Sequence, residues 1–213
     1  SDVMWRMDPS LGSILLAKTV PALGGDTLFS DMVAAYQGLS VELQTKINGL
    51  MAINSGSANG SKEKARQRLE QEGASPEELD TFDQKYAHIP IPVHPVVRTH
   101  PETGEPAIYV NRAFTRQITD MKKEESDKLL ALLWAQAAVP EYQCRFKWAP
   151  GSVAFWDNRA AQHYASSDYW PERREMDRVT IAGERPYYTK DNGDKLISYA
   201  ADQALLTQSD MLN

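Results

Sequence analysis

The sequence has almost no cysteine, no excess of basic residues and no long apolar run, and each absence excludes a class of protein. Cys144 is the single cysteine in 213 residues, which rules out an internal disulfide and indicates a reducing, cytoplasmic environment. The 29 acidic residues outnumber the 23 basic ones, and the formal net charge of −6 disfavours a nucleic-acid partner. Because no run of about 18 apolar residues occurs, neither a membrane-spanning segment nor a membrane partner is expected.

The remaining composition, 42% hydrophobic and 24% charged, is that of one ordinary globular domain. Apolar runs bounded by turn residues predict strands at 13–20, 107–110, 142–148, 152–156 and 178–182, with an extended edge segment at 89–97. Helices are predicted at 31–50, with a break near Gly38, and at 124–138. Many strands with helices inserted between them predict a mostly β fold, a jelly roll (double-stranded β-helix).

Two segments are expected to lie outside the β core. Residues 62–86 are charged on most faces and predict a helical insert, broken at Gly73, that acts as a lid. Its second helix is expected to start at Ser75, with Ser75 as N-cap and Glu78 at N3. Residues 193–213 are expected to form a terminal helix or to lie over a neighbouring subunit of a homo-oligomer.

Only four histidines are present, and one of them stands out as a metal-ligand candidate. His88, His94 and His100 lie in a proline-rich extended region, where a polar edge or loop role is the expected one. His163 instead follows directly on an apolar strand, within residues 156–164.

Two arginines follow this histidine at a spacing that matters in a strand. Arg174 and Arg178 are four residues apart, and an even separation places both side chains on one face of a strand. Two guanidinium groups on one face of an interior strand cost free energy unless anions pair with them. Each guanidinium is suited to bind a carboxylate or a sulfonate. Surface arginines paired with Glu172, Glu175 or Asp177 are an equally good interpretation of the spacing alone.

Several motifs together resemble the taurine dioxygenase family of Fe(II)- and 2-oxoglutarate-dependent oxygenases. They are Ser1-Asp2-Val3, Gly24-Gly25-Asp26-Thr27-Leu28, residues 94–101, Tyr109-Val110-Asn111 with Phe114, and Trp156-Asp157-Asn158-Arg159 with Gln162-His163-Tyr164, Arg174 and Arg178. The resemblance implies that residues 1–188 are the C-terminal major part of one oxygenase jelly-roll domain, incomplete at the N-terminus. The helical lid would lie near 55–88, and residues 189–213 would be a C-terminal extension.

The resemblance also implies roles for individual residues. Asp2 and His163 would be two iron ligands, with the family's first ligand histidine expected just before Ser1. Thr27 and Arg174 would bind the far carboxylate of 2-oxoglutarate, and Arg178 would hold the anionic group of the substrate. Such a 2-His-1-carboxylate set leaves iron positions open for the cosubstrate and O2.

The implied substrate pocket includes Phe114, Val3 and Trp156. Residues 53–60 are small and polar where taurine-specific relatives carry bulkier side chains, which favours a sulfonate other than taurine, an alkyl sulfate ester or an aryloxyalkanoate. Two other interpretations remain: an iron-free jelly-roll binding protein without catalysis, and a hydrolase using His163. The hydrolase is disfavoured because no Gly-x-Ser-x-Gly motif is present.

Overall fold

The structure of the chain, a computed structural model, describes residues 2–56, 61–87 and 91–201. The strands among these residues are β1 (Gly12–Thr19), β2 (Thr27–Asp31), β3 (Met51–Asn54), β4 (Pro92–Pro95), β5 (Val97–Thr99), β6 (Pro106–Ile108), β7 (Thr115–Ile118), β8 (Gln143–Phe146), β9 (Val153–Asp157), β10 (Ala161–Ala165), β11 (Glu175–Ile181), β12 (Tyr187–Thr189), β13 (Lys195–Ile197) and β14 (Tyr199–Ala200). The α-helices are α1 (Met32–Gln37), α2 (Val41–Ile47), α3 (Ser61–Gln71), α4 (Pro76–Ala87) and α5 (Lys123–Gln136). None of these helices is both long and apolar enough to cross a membrane.

Two antiparallel three-stranded sheets form the centre of the fold and confirm the predicted jelly roll. Their strand orders are β11-β1-β9 and β10-β2-β8. A small apolar core draws on both sheets, and it consists of Ala17, Trp148, Ala154 and Trp156 with Leu15, Val20, Phe29, Phe146 and Met176 packed against them. Phe29 and Trp156 of this core pack against the His163 ring, and Trp148 lies beside the Arg174 guanidinium.

A larger core lies beside the jelly roll and supplies most of the buried apolar surface. It joins α1, α2 and α5 to the four-stranded sheet β14-β4-β3-β7 and to the hairpin β5-β6. On α5 the buried side chains include Leu129, Leu130 and Leu133, whereas Leu132 is 43% exposed. The helix predicted at 124–138 is confirmed, with bounds of Lys123–Gln136.

The proline-rich segment around residues 89–97 was wrongly expected to be an edge. β4 lies inside its sheet, between β14 and β3, and all four of its residues are buried. Pro92 and Pro95 stand at its two ends, so the missing N–H groups fall where the ladder stops and not within it. An interior strand can therefore carry two prolines.

His94 is buried inside the sheet, so the expected polar edge or loop role is wrong for it. His100 has a polar loop role after β5, where its Nδ1 accepts the N–H groups of Glu102 and Thr103. His88 lies outside the described residues. His94 is fully buried; its Nε2 lies 2.9 Å from the Met4 carbonyl oxygen and its Nδ1 2.8 Å from Ser198 Oγ. His100 Nε2 lies 3.1 Å from Asp157 Oδ2. Both are structural, and His94 fastens the segment that follows Asp2 to β4.

The second helix of the insert, α4, starts after Ser75 as predicted. Ser75 Oγ accepts a hydrogen bond from the Glu78 N–H (3.3 Å), and the Glu78 carboxylate accepts one from the Ser75 N–H (2.7 Å), which is a capping box. An Arg66–Asp83 ion pair of 2.9 Å joins α3 to α4. That this pair of helices covers the substrate mouth stays a prediction.

The terminal helix expected within 193–213 is wrong for the described part of that range. Residues 195–200 form β13 and β14, which pair with β12 and β4, and residues 202–213 lie outside the described chain. The reason is the Asn192-Gly193 turn: Gly193 has a φ of +86°, and the Lys190 N–H donates to the Asp194 carbonyl at 2.8 Å. Asn-Gly between two apolar runs is a strong hairpin signal that the sequence contained.

We predict that His94 makes stability depend on pH. Burial lowers the pKa of His94 to about 4, whereas an unfolded histidine titrates near 6.5. The stabilisation is therefore complete above pH 6.5 and is lost as the pH falls toward 4. Between pH 7 and pH 5 the His94 contribution to the free energy of unfolding should fall by about 2 kcal/mol.

The measurement is urea unfolding of the wild type and His94→Gln at both pH values. The variant should be less stable at pH 7 but should lose about 2 kcal/mol less than the wild type on acidification. His163 is present in both proteins and cancels in the comparison. An identical loss in the two proteins contradicts the prediction.

Candidate active site

The candidate site lies at one end of the jelly roll, where the segment containing Asp2 meets β10. His163 is the central residue of β10 and pairs with Phe29 of β2. Asp2 and His163 both line one cavity of about 760 Å³. The structure therefore brings together the two side chains that the sequence suggested as metal ligands.

The Asp2 carboxylate is buried but incompletely paired. Its Oδ1 accepts the Val3 N–H at 2.9 Å, and its Oδ2 is in ionic contact with Arg178 Nη2 but accepts no hydrogen bond from the described residues. Val3 has a φ of 48°, which is rare for a β-branched residue and costs free energy. Strain of this kind clusters at functional sites, where the surroundings hold a side chain in one orientation.

His163 has the protonation state that a metal ligand needs. Burial lowers its pKa to about 4, so the imidazole is neutral at pH 7. The ring packs on Trp156, with 5.0 Å between centroids, and its Nδ1 is buried without a partner among the described residues. A neutral imidazole and a carboxylate are suitable donors for a divalent metal, and Asp2 Oδ2 has only the ionic contact with Arg178.

These two residues form a partial ligand set. No group of three histidine, cysteine, aspartate or glutamate side chains suited to a metal occurs in the part of the chain that the structure describes. The donors present fit two positions of a facial triad.

A buried hydrogen-bond network fixes the wall next to the ligands, and sequence reasoning missed it. Trp156 Nε1 donates to Asn158 Oδ1 (2.8 Å), and Asn158 Nδ2 donates to Ser13 Oγ (3.1 Å) and Ser10 Oγ (3.0 Å). Ser13 Oγ also accepts from Arg178 Nη2 at 2.9 Å. The network holds Trp156 and Arg178 side by side, with the guanidinium carbon 5.8 Å from the indole centroid.

A second group of side chains lies around Thr27 at the start of β2. Thr27 is buried, and its Oγ1 accepts a hydrogen bond from Trp148 Nε1 at 3.0 Å. The Arg174 guanidinium carbon lies 5.9 Å from the Trp148 ring, and Arg174 Nε donates to the Gly25 carbonyl at 3.1 Å. Arg174 Nη2 is buried and has no hydrogen-bond partner in residues 2–56, 61–87 and 91–201. A buried guanidinium with a free N–H is able to bind a carboxylate.

The two arginines both reach the aromatic core, although Arg174 precedes β11 and only Arg178 belongs to the strand. Neither arginine forms an ion pair with Glu172, Glu175 or Asp177 within the described part of the chain. Glu175 pairs with Lys18 and Arg173, and Asp177 pairs with Lys18. The expected shared strand face is therefore wrong for Arg174, and a role of the two side chains in binding anions stays a prediction.

The cavity extends from the two candidate ligands to α5. Phe114 lines it, together with Trp134 and small side chains such as Ala131 and Ala135 of α5. That Phe114 contacts a substrate stays a prediction. Val3 and Trp156 are not among its lining residues in the described chain. Trp156 instead packs against the His163 ring and lies beside the Arg178 guanidinium.

Comparisons with known proteins agree on one family. The family model described as "Taurine catabolism dioxygenase TauD, TfdA family" matches residues 1–180. The chain is 36% identical over 188 residues to the alpha-ketoglutarate-dependent sulfonate dioxygenase of Saccharomyces cerevisiae, covering 87% of this chain and 42% of that relative. It is 35% identical over 175 residues to the alpha-ketoglutarate-dependent sulfate ester dioxygenase of Pseudomonas putida, covering 82% and 56% respectively.

Solved structures agree with these sequence comparisons. A taurine dioxygenase from Burkholderia xenovorans matches with a TM-score of 0.75 and 32% identity, over 99% of this chain and 64% of that one. The chain spans about half the length of the curated relatives that it matches.

We predict that Ser13 stabilises the site wall more than Ser10 does. Ser13→Ala removes the acceptor of two donors, on Asn158 and Arg178, whereas Ser10→Ala removes one acceptor from Asn158. The losses of unfolding free energy should be about 2 and about 1 kcal/mol. Urea unfolding of both variants measures them, and equal losses or the reverse order contradict the assignment of Ser13 as the centre of the network.

Proposed function

Since the chain belongs to the TauD/TfdA family, we propose that it contributes most of the active site of an Fe(II)- and 2-oxoglutarate-dependent dioxygenase that hydroxylates a small anionic organic substrate. The observation that carries the proposal is the pair Asp2 and His163, which line one cavity. The buried Nδ1 of His163 has no hydrogen-bond partner in the described residues, and Asp2 Oδ2 has only its ionic contact with Arg178. Unpaired buried polar atoms are costly and mark places where a ligand completes the bonding. An iron-free binding protein has no need of this arrangement.

Asp2 and His163 would hold the metal, and a histidine contributed from outside residues 2–201 would complete the triad. When bound, Fe(II) activates O2 in the oxidation of substrate and cosubstrate. The net reaction consumes the substrate, 2-oxoglutarate and O2, and it yields hydroxylated substrate, succinate and CO2. The protein's part is to place the reactants and exclude water.

Thr27 and Arg174 would bind the far carboxylate of 2-oxoglutarate. The unpartnered Arg174 Nη2 and the buried Thr27 hydroxyl both lie beside Trp148. The tryptophan covers the guanidinium from one side and shields its bond to the carboxylate from water, which strengthens a charge-assisted hydrogen bond.

Arg178 would receive the anionic head of the substrate. Burial lowers its pKa, which means that the charged form carries a desolvation cost that a nearby anion offsets. Phe114 and the alanines of α5 give the cavity apolar surface beyond the ligands. This room supports sulfonates longer than taurine, alkyl sulfate esters or aryloxyalkanoates as substrates.

The remaining features support a cytoplasmic enzyme that forms a homo-oligomer and has neither nucleic-acid nor membrane partners. Cys144 is free and exposed, in keeping with a reducing environment. The sheet β11-β1-β9 leaves Val153, Phe155 and Val179 more than half exposed, an apolar face of the kind that subunits cover.

The first test separates metal binding from cosubstrate binding. Calorimetry with Mn(II), followed by 2-oxoglutarate, should show that Asp2→Ala and His163→Ala lose Mn(II) binding. Arg174→Ala should keep Mn(II) but weaken 2-oxoglutarate binding about 100-fold, because a two-point charged contact is lost. Arg173→Ala is the matched control, since Arg173 is exposed and pairs with Glu175. Unchanged 2-oxoglutarate affinity in Arg174→Ala contradicts the assigned role.

The second test concerns the substrate anion. Succinate release should be faster with longer sulfonates, sulfate esters or aryloxyalkanoates than with taurine, and at least about 100-fold slower with their neutral alcohol or amide analogues. Arg178→Ala should abolish this preference, whereas Arg185→Ala, which removes an exposed partner of Asp8, should not. Mn(II) binding to Arg178→Ala checks that Asp2 still functions. Equal turnover of charged and neutral substrates by the wild type rules out the role of Arg178.

A further inference from the structure

The turn between β1 and β2 has two successive glycines in the left-handed conformation. Gly24 has a φ of +78° and Gly25 a φ of +71°, which residues with a Cβ rarely adopt. Space is restricted as well. A Cβ on Gly24 would lie 2.9 Å from Asp168 Oδ1, and one on Gly25 would lie 3.2 Å from Arg174 Cδ. The backbone of this turn is therefore in direct contact with both Asp168 and Arg174.

Asp168 holds this turn from outside. Its Oδ1 accepts the Gly25 N–H at 2.9 Å, although the two residues are 143 positions apart in the sequence. The Ser166 N–H donates to the Asp26 carbonyl at 2.9 Å, which binds the same turn to the segment after β10. Arg145 Nε pairs with Asp26 Oδ2 at 2.8 Å and approaches the outer oxygen of Asp168.

The same glycine orients Arg174. The Gly25 carbonyl accepts from Arg174 Nε at 3.1 Å, which leaves Nη2 buried and without a partner in the described residues. Thr27, the other candidate contact of the cosubstrate, follows Gly25 by two residues. The backbone of Gly25 thus connects Asp168 to both side chains proposed for the cosubstrate.

We propose that Asp168 is a positioning residue of the cosubstrate site: it fixes the backbone of Gly25, whose carbonyl orients the Arg174 guanidinium toward the far carboxylate of 2-oxoglutarate. This inference rests on the proposed function. Asp168 acts through the acceptor bond of Oδ1 and does not touch the cosubstrate. Without that bond the turn and Arg174 sample more orientations, and 2-oxoglutarate binding has to overcome the lost order.

The contact suggests a test that separates the hydrogen bond from the charge. Asp168→Asn keeps an acceptor oxygen for the Gly25 N–H and removes the negative charge, whereas Asp168→Ala removes both. Asp177→Ala is the matched control, because Asp177 is an exposed aspartate that pairs with Lys18. The readouts are the affinity of the Mn(II)-loaded protein for 2-oxoglutarate by calorimetry, the Mn(II) affinity, and the KM and kcat measured with 2-oxoglutarate as the varied reactant.

Asp168→Ala should raise both the Kd and the KM for 2-oxoglutarate about tenfold, which is the effect of losing one hydrogen bond. The kcat and the Mn(II) affinity should stay within about twofold of the wild-type values, because Asp168 does not touch the metal ligands. Asp168→Asn and Asp177→Ala should bind 2-oxoglutarate as the wild type does. If Asp168→Ala does not fold, Asp168→Ser, whose side chain is too short to reach Gly25, replaces it.

An unchanged Kd in Asp168→Ala overturns the proposal, as does an equal loss in Asp168→Asn or a parallel loss of Mn(II) binding and kcat. The result also separates this inference from the proposed function. If Arg174→Ala weakens 2-oxoglutarate binding and Asp168→Ala does not, only the positioning role fails. If Arg174→Ala has no effect either, the cosubstrate site itself is wrong.

Discussion

The antiparallel register of β2 between β8 and β10 sets the whole site. Thr27 and Phe29 alternate with Leu28 and Ser30, so the two pairs lie on opposite faces of the strand. Phe29 packs in the aromatic core and Thr27 bonds to Trp148, whereas Leu28 and Ser30 line the cavity that His163 also lines. His163 pairs with Phe29 and shares its face. A slip of β2 by one residue would turn Thr27 and Phe29 to the opposite face, which would remove the candidate cosubstrate contact of Thr27 and the ring contact of Phe29 with His163. The aromatic contacts among Phe29, Trp156 and His163 oppose such a slip, because they exist in one register only.

Much of the site could be predicted because its residues belong to short motifs, while their supports come from distant parts of the chain. The sequence pointed to His163 and the two arginines by their neighbours and spacing. It did not point to Ser13 or Asp168, since an isolated serine or aspartate has no local signal and acts only through a partner about 150 residues away. Long-range hydrogen bonds of this kind become visible only when the strands are paired.

The elements of the fold divide in the same way: some depend on neighbouring residues, and others depend on residues far away in the sequence. The capping box at Ser75 and the break between α1 and α2 depend on neighbouring residues and were predicted correctly. The position of β4 inside its sheet depends on β3 and β14, and prolines at strand ends were misread as marks of an edge. His94 was misjudged for the same reason, because its burial follows from residues 4–6 and Ser198, which are far away in the sequence.

Polar groups in the wall of the site are paired, whereas three of the candidate ligand-binding side chains are not fully hydrogen-bonded. Although burial raises the pKa of the Asp157 carboxyl, hydrogen bonds from Arg159 and His100 bring it down to about 2, so Asp157 is ionised and paired at neutral pH. Asp2, His163 and Arg174 instead keep buried atoms without hydrogen-bond partners in the described chain. The paired hydrogen-bond network keeps the frame of the site rigid. The side chains that lack hydrogen-bond partners remain able to bind ligands.

The formal charges of the proposed loaded site argue for one further property of the substrate. Arg174 and Arg178 contribute two positive charges and Asp2 one negative charge, while His163 is neutral because burial lowers its pKa to about 4. Counted over these four side chains alone, a divalent iron and a doubly charged 2-oxoglutarate cancel each other, which leaves a net charge of +1. An uncompensated charge in a partly buried cavity is costly, and a substrate with a single negative charge removes it. Sulfonates, sulfate monoesters and carboxylates share that charge, so the charge balance selects the class, and the shape of the cavity between Phe114 and α5 has to select among its members.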